Sequence, residues 1–162
     1  YGPPFELCVA NAMPGTEEYR NSEKYEVRKW NLESENSISH FITRVYRIRR
    51  DSSALQFNHN LQFLDVENES LIAYARQSPY NDELLIIVVN CDPNYTQAGF
   101  LNIPLEQFGL ENRYQVHDLL TERKYQWYGP RNYIELNPHV SPAFIFRVRQ
   151  RLRTEHNFDY YM

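Results

Sequence analysis

A chain of 162 residues is long enough for one domain with its own core, or for one domain and a piece of another. With 42% hydrophobic and 23% charged residues it is globular rather than disordered. Its formal net charge of −4 argues against a general nucleic-acid binder, and no apolar run reaches the ~18–20 residues of a membrane span.

The chain opens Tyr1-Gly2-Pro3-Pro4-Phe5-Glu6-Leu7, without an initiator Met or a leading strand. Loop and helix signals fill the first fifty-five or so residues, and short strands follow. This order suggests the C-terminal end of a larger enzyme: the last βα turn of a barrel, then an all-β appendage. On that reading the domains run 1–57, 58–149 and a tail at 150–162. Residues 1–15 read as loop, with a short apolar run from Phe5 to Ala10. Residues 16–30 mix charge and aromatics without a clear period.

From Ser37 the pattern changes. Ile38, Phe41, Ile42, Val45 and Tyr46 recur at the three-and-four spacing of one helical face, with Arg44, Arg47 and Arg50 pointing away. Asn36 or Ser37 can cap the start, and Arg49 and Arg50 suit the negative end of the helix dipole. The spacing predicts a helix over 37–50 whose stripe must bury against the β-segments or a missing barrel.

From about residue 60 the period is two. Strands are expected at 61–65, 70–76, 83–90, 97–102, 113–118, 123–127, 132–136 and 143–149, separated by Gly, Pro and Asn turn signals. Strand 83–90 does not alternate, so it should be central and covered on both faces. The fold class is mainly β: an antiparallel sandwich of about eight strands, with the helix outside it. Arg147, Arg149, Arg151 and Arg153 alternate as one solvated strand face would, with a polyanion contact as the other reading.

Few residues point to chemistry. No Ser, Cys or Thr lies in a nucleophile-elbow context, and no Gly-rich phosphate loop occurs. No two of the five His have metal-ligand spacing, so no cofactor or metal is expected. His117-Asp118 falls on a strand, where the two side chains face opposite ways and serve structure. Cys8 and Cys91 stand in no metal or redox spacing and read as reduced thiols of a cytoplasmic protein. Glu6 is the best lone carboxylate, but an ordinary loop or barrel-rim role is the stronger reading of it. Tyr125, Trp127, Tyr128 and Tyr133 form either a sugar-stacking platform or cross-strand packing around Gly129-Pro130. In Ser22-Glu23-Lys24-Tyr25-Glu26, Lys24 supplies a point charge and Tyr25 an O–H donor, a pair suited to an anionic sugar or phosphate. Lys-Tyr is also a common dipeptide.

Six stretches together carry a resemblance. Tyr1 to Leu7, Gly15-Thr16-Glu17-Glu18-Tyr19 and Ser22 to Val27 resemble the end of the catalytic barrel of the α-1,4-glucan:maltose-1-phosphate maltosyltransferases, of the α-amylase superfamily. Ile42 to Arg50 is similar to their last barrel helix. Tyr114 to Leu120 and Trp127 to Tyr133 resemble their C-terminal β-sandwich, and the likeness runs to about residue 149. It implies a parent that transfers maltosyl from α-maltose 1-phosphate to the non-reducing end of an α-1,4-glucan, with retention and release of phosphate. It implies an Asp nucleophile, a Glu acid/base and a stabilising Asp, all upstream of Tyr1. Lys24 and Tyr25 match the family's donor-site Lys-Tyr and so would contact maltose 1-phosphate. A cytoplasmic homodimeric parent, with neither nucleic acid nor membrane as partner, completes the expectation. The isolated chain should be inactive without the catalytic barrel. The competing readings are an independent carbohydrate-binding sandwich, and the end of another superfamily hydrolase or trehalose-forming enzyme.

Overall fold

A computed structural model describes residues 2–18, 27–80 and 82–150. The chain divides into two compact units, Tyr1–Ile48 and Arg49–Met162. In the first, Pro3–Glu6 forms a single helical turn, α1. Its entry needs Gly2 at φ 83, and the two prolines occupy positions whose N–H would have no partner in a helix anyway. The Glu6 carbonyl accepts the Ile38 N–H at 2.8 Å, which ties this turn to the approach of the next helix.

That helix, α2, is Ser39–Asp51, two residues later at its start than the periodicity predicts. Ser37 remains outside the helix because its Oγ accepts the Ser39 N–H at 3.3 Å, as a capping side chain does. Arg49 and Arg50 close the last turn. The expected stripe is only partly covered: Ile38, Ile42 and Val45 are half-buried, whereas Phe41 and Tyr46 are 41% and 66% exposed, and the buried residue of the helix is Ile48, outside that stripe.

The second unit begins with the end of α2 and a 3-10 turn at Ser53–Leu55. Eight strands follow among the described residues: β1 Leu61–Leu64, β2 Leu71–Gln77, β3 Leu84–Asn90, β4 Gln97–Asn102, β5 Arg113–Asp118, β6 Lys124–Tyr128, β7 Arg131–Leu136 and β8 Ala143–Gln150. All eight expected strands are present, and every pairing is antiparallel. They divide unequally. Six form one sheet in the order β1-β2-β3-β8-β5-β6, and β4 pairs with β7 as a two-stranded ribbon. Leu71, Ala73, Leu84, Ile86, Val88, Tyr114, Val116, Trp127 and Phe146 line the large sheet's inner face and join Leu101, Ile134 and Leu136 of the ribbon in one core. Strand β3 is interior to the sheet, and Leu85 and Ile87, which face away from that core, are also buried. A run with no polar member suits a strand covered on both sides.

The end of β5 shows how polar groups survive burial. Asp118 is fully buried, and its carboxylate accepts N–H groups of Leu120 at 3.2 Å, Thr121 at 3.1 Å and Ile145 at 3.1 Å. It thereby closes the β5–β6 turn and pins β8 beside it. His117 points the other way and sits 2.7 Å from Glu122. The structural reading of the pair holds.

Candidate functional site

Lys24 and Tyr25 lie outside the described residues. What flanks them on the N-terminal side is a tight turn: the Met13 N–H donates to the Glu18 carbonyl at 2.8 Å, and Thr16 Oγ1 accepts the Glu18 N–H at 3.3 Å. Val27, on the other side, is exposed. Glu6 is half-buried at the end of α1, where its backbone carbonyl is occupied by Ile38.

The four aromatic side chains singled out by composition do not share one face. Trp127 is 8% exposed and packs edge-on to Tyr114 and Phe146, while Tyr125 packs edge-on to Phe146. Tyr128 and Tyr133 are each 56% exposed on different sheets. Arg113 lies over the Tyr128 ring, and Tyr133 meets Phe100 edge-on with its hydroxyl on Glu135 at 3.0 Å. Alternation separates neighbours along a strand, so Trp127 turns inward and Tyr128 outward. Cross-strand packing accounts for Tyr125 and Trp127, and no single stacking platform exists among these four.

Arg147 is held rather than free. Its guanidinium reaches Glu83 at 2.8 Å and Ser52 Oγ at 3.3 Å. Arg149 is exposed on the same strand. Arg151 and Arg153 lie outside the described residues. Both cysteines are free thiols. Among the described residues no three His, Cys, Asp or Glu side chains gather in a group able to hold a metal ion, and no helix is long and apolar enough to cross a membrane.

The sequence reading missed a groove at the open side of the sandwich, between edge strand β1 and the segment leaving β4. Two adjoining depressions, about 720 Å³ and about 400 Å³, share Ile103, Pro104 and Pro130 in their lining. Phe63 borders the smaller one, but alternation turns its ring to the outer face of the sheet, edge-on to Tyr74. Gln62 and Gln107 exchange two amide hydrogen bonds, at 2.9 and 2.8 Å. Asn102 donates to Asp65 at 3.2 Å. These residues come from three segments up to 68 positions apart, from Gln62 to Pro130, and no local spacing marks them.

A family model described as GLGE, C-terminal, matches residues 63–148. A relative from Chlorobaculum tepidum, named alpha-1,4-glucan:maltose-1-phosphate maltosyltransferase, is 42% identical over 156 residues, covering 91% of this chain and 23% of its own length. One of the same name from Methylacidiphilum infernorum is 40% identical over 153 residues, covering 93% and 23%. The chain thus spans about a quarter of the length of these relatives. Among solved structures it is similar to the α-amylase of Geobacillus thermoleovorans, with a TM-score of 0.57 and 17% identity over 75% of this chain and 25% of that one. That likeness concerns the fold.

Proposed function

We propose that this chain, which belongs to the GLGE C-terminal family, forms the closing part of an enzyme that moves maltosyl from α-maltose 1-phosphate to the non-reducing end of an α-1,4-glucan, with retention. The observation that carries the reading is identity of 42% maintained over nine-tenths of the chain with a relative bearing that name. The likeness extends beyond the sandwich into the first unit, where the donor-site stretch would lie. Glycogen-type polymer synthesis in the cytoplasm, by a homodimer, is the setting we propose. Neither nucleic acid nor membrane takes part.

In this reading the carboxylates that break and form the glycosidic bond belong to the remainder of the longer protein, as does the barrel around them. Retention needs two such groups, one as nucleophile and one as acid and then base. This chain would contribute to the donor end. As the bond to phosphate breaks, negative charge grows on the departing oxygens, and a positioned cation lowers the energy of that state more than of the ground state. Lys24 would supply the cation and Tyr25 a hydrogen-bond donor. A hydrolase has no departing phosphate to hold, which favours the transferase over a hydrolytic relative. The buried Trp127 weighs against an independent sandwich that binds sugar through the expected platform.

The test is phosphate release from α-maltose 1-phosphate with glycogen as acceptor, using the longer protein that contains this chain. Release coupled to lengthening of the glucan is expected. Hydrolysis to free maltose without lengthening would refute it. The 162-residue chain alone should release no phosphate.

A further inference from the structure

We propose that the outward face of β1, β2 and β3 is a docking surface for an amphipathic helix from the part of the longer protein that lies outside this chain. It rests on membership of the family and not on the transfer reaction. Strand pairing sets Phe63 beside Tyr74, Tyr74 beside Ile87 and Ile87 beside Ile145, one row across four neighbouring strands. Ile72 and Val89 pair in the next row on the same face. None of these six carries a charge, and the Tyr74 hydroxyl is their one polar side-chain group. Phe63 is 70% exposed, Ile72 44%, and Leu61 at the start of β1 41%. Such a contiguous apolar patch marks a surface that something covers.

An antiparallel sheet with one wet face alternates apolar inward and polar outward. Strands β5 and β6 follow that rule, with Gln115, His117, Lys124 and Gln126 on the outward side. At β1 to β3 the outward rows are apolar as well, the composition of a sheet covered on both sides. Arg76, the charged exception on β2, is taken up by Asn60 and the Phe57 carbonyl. Edge strand β1, Leu61-Gln62-Phe63-Leu64, also lacks the Lys or Pro that blunts an exposed edge. A sugar or an anion would find one hydroxyl and no cation on the two rows, so the surface suits apolar packing. The relatives extend well past this chain, which covers 23% of their length. A segment of the same polypeptide meets the face at a high effective concentration and outcompetes a free partner or a second copy. Across four strands the row spans about 14 Å, and the two rows lie about 7 Å apart. A helix about 10 Å thick covers that footprint with about two to three turns.

The experiment compares the 162-residue chain with the longer protein. Phe63→Cys and Ile72→Cys are made singly in each and labelled with N-ethylmaleimide. Peptide mass spectrometry reads each site separately, so the free thiols of Cys8 and Cys91 do not interfere. Both introduced thiols should react readily in the 162-residue chain and roughly tenfold or more slowly in the longer protein. A photoreactive benzoylphenylalanine in place of Phe63 in the longer protein should cross-link within one polypeptide, to a helical segment outside this chain. Unslowed labelling of Phe63→Cys and Ile72→Cys in the longer protein overturns the proposal. So does cross-linking between two polypeptides. Slow labelling of the 162-residue chain that deepens with its concentration overturns it too, because the occupant is then a second copy. Maltosyl transfer is assayed separately. Transfer without protection of these sites would sink this inference and leave the proposed function standing, and protection without transfer would do the reverse.

Discussion

Glu83 and Arg147, 64 positions apart, form an ion pair at 2.8 Å at the end of the large sheet. The second Glu83 oxygen accepts Ser53 Oγ and the Ala54 N–H, both at 3.1 Å. One carboxylate thus joins β8, the approach to β3 and the 3-10 turn. The pair is largely shielded from water, with side chains 11% and 29% exposed. Glu83→Ala leaves the guanidinium and a backbone N–H without their partner, and should cost ~2–4 kcal/mol. For a chain of this size that lowers Tm by roughly 5–15 °C. Thermal melts of Glu83→Ala, Arg147→Ala and the double variant measure the coupling. Additivity within ~0.3 kcal/mol would show that the two do not act together.

Tyr114 makes stability depend on high pH. Its ring is fully buried, and burial pushes the phenol up to about 12, only partly opposed by the Asn132 amide that donates to its oxygen at 2.9 Å. The hydroxyl donates to the Gly129 carbonyl at 3.1 Å. The folded state therefore holds this proton more tightly than the unfolded chain, whose tyrosines ionise near ~10. The contribution is fully present below pH ~10 and is lost as pH rises toward ~12, amounting to ~2–3 kcal/mol. Denaturant unfolding at a series of alkaline pH values should show this decline. Tyr114→Phe should remove that part of the slope while costing ~1 kcal/mol at neutral pH.

Gly99 lies in β4, where the chain crosses close to the β1–β2 connection. A Cβ there would stand 3.2 Å from Asn68 Cβ and 3.3 Å from the Glu67 carbonyl oxygen. The Glu67 N–H donates to the Phe100 carbonyl at 3.0 Å, so this backbone cannot easily withdraw. Gly99→Ala should destabilise by ~1–2 kcal/mol through crowding, despite the better strand propensity of Ala. Equilibrium unfolding in urea decides, and a stabilised variant would show that the connection yields.

Lys24→Ala, made in the longer enzyme, should weaken use of the donor far more than use of the acceptor. Losing one charge-assisted contact worth ~1.5–3 kcal/mol lowers kcat/KM for maltose 1-phosphate roughly 10- to 150-fold. Tyr25→Phe should cost less, on the order of 1 kcal/mol. The KM for glucan should barely move. Steady-state kinetics with each substrate varied in turn decide, and unchanged donor use would remove Lys24 and Tyr25 from the donor site.

The eight strands and the one long helix were legible from periodicity and turn residues alone, because alternation along a strand reports which side is buried. The bare run from Leu84 to Val89 likewise announced an interior strand. Local pattern carries no record of partners. That β8 inserts between β3 and β5, that β4 and β7 separate as a ribbon, and that Glu83 finds Arg147 follow from how sheets close over a shared core. The outward turn of Tyr128 beside inward Trp127 was decided by register, which one residue of slip would reverse. Lys24 and Tyr25 stood out through resemblance rather than pattern, since a lone dipeptide has no periodic signature. The groove was invisible in the sequence for a different reason. Gln62, Gln107 and Pro130 are unremarkable where they stand in the chain, and only the tertiary structure places them around one space.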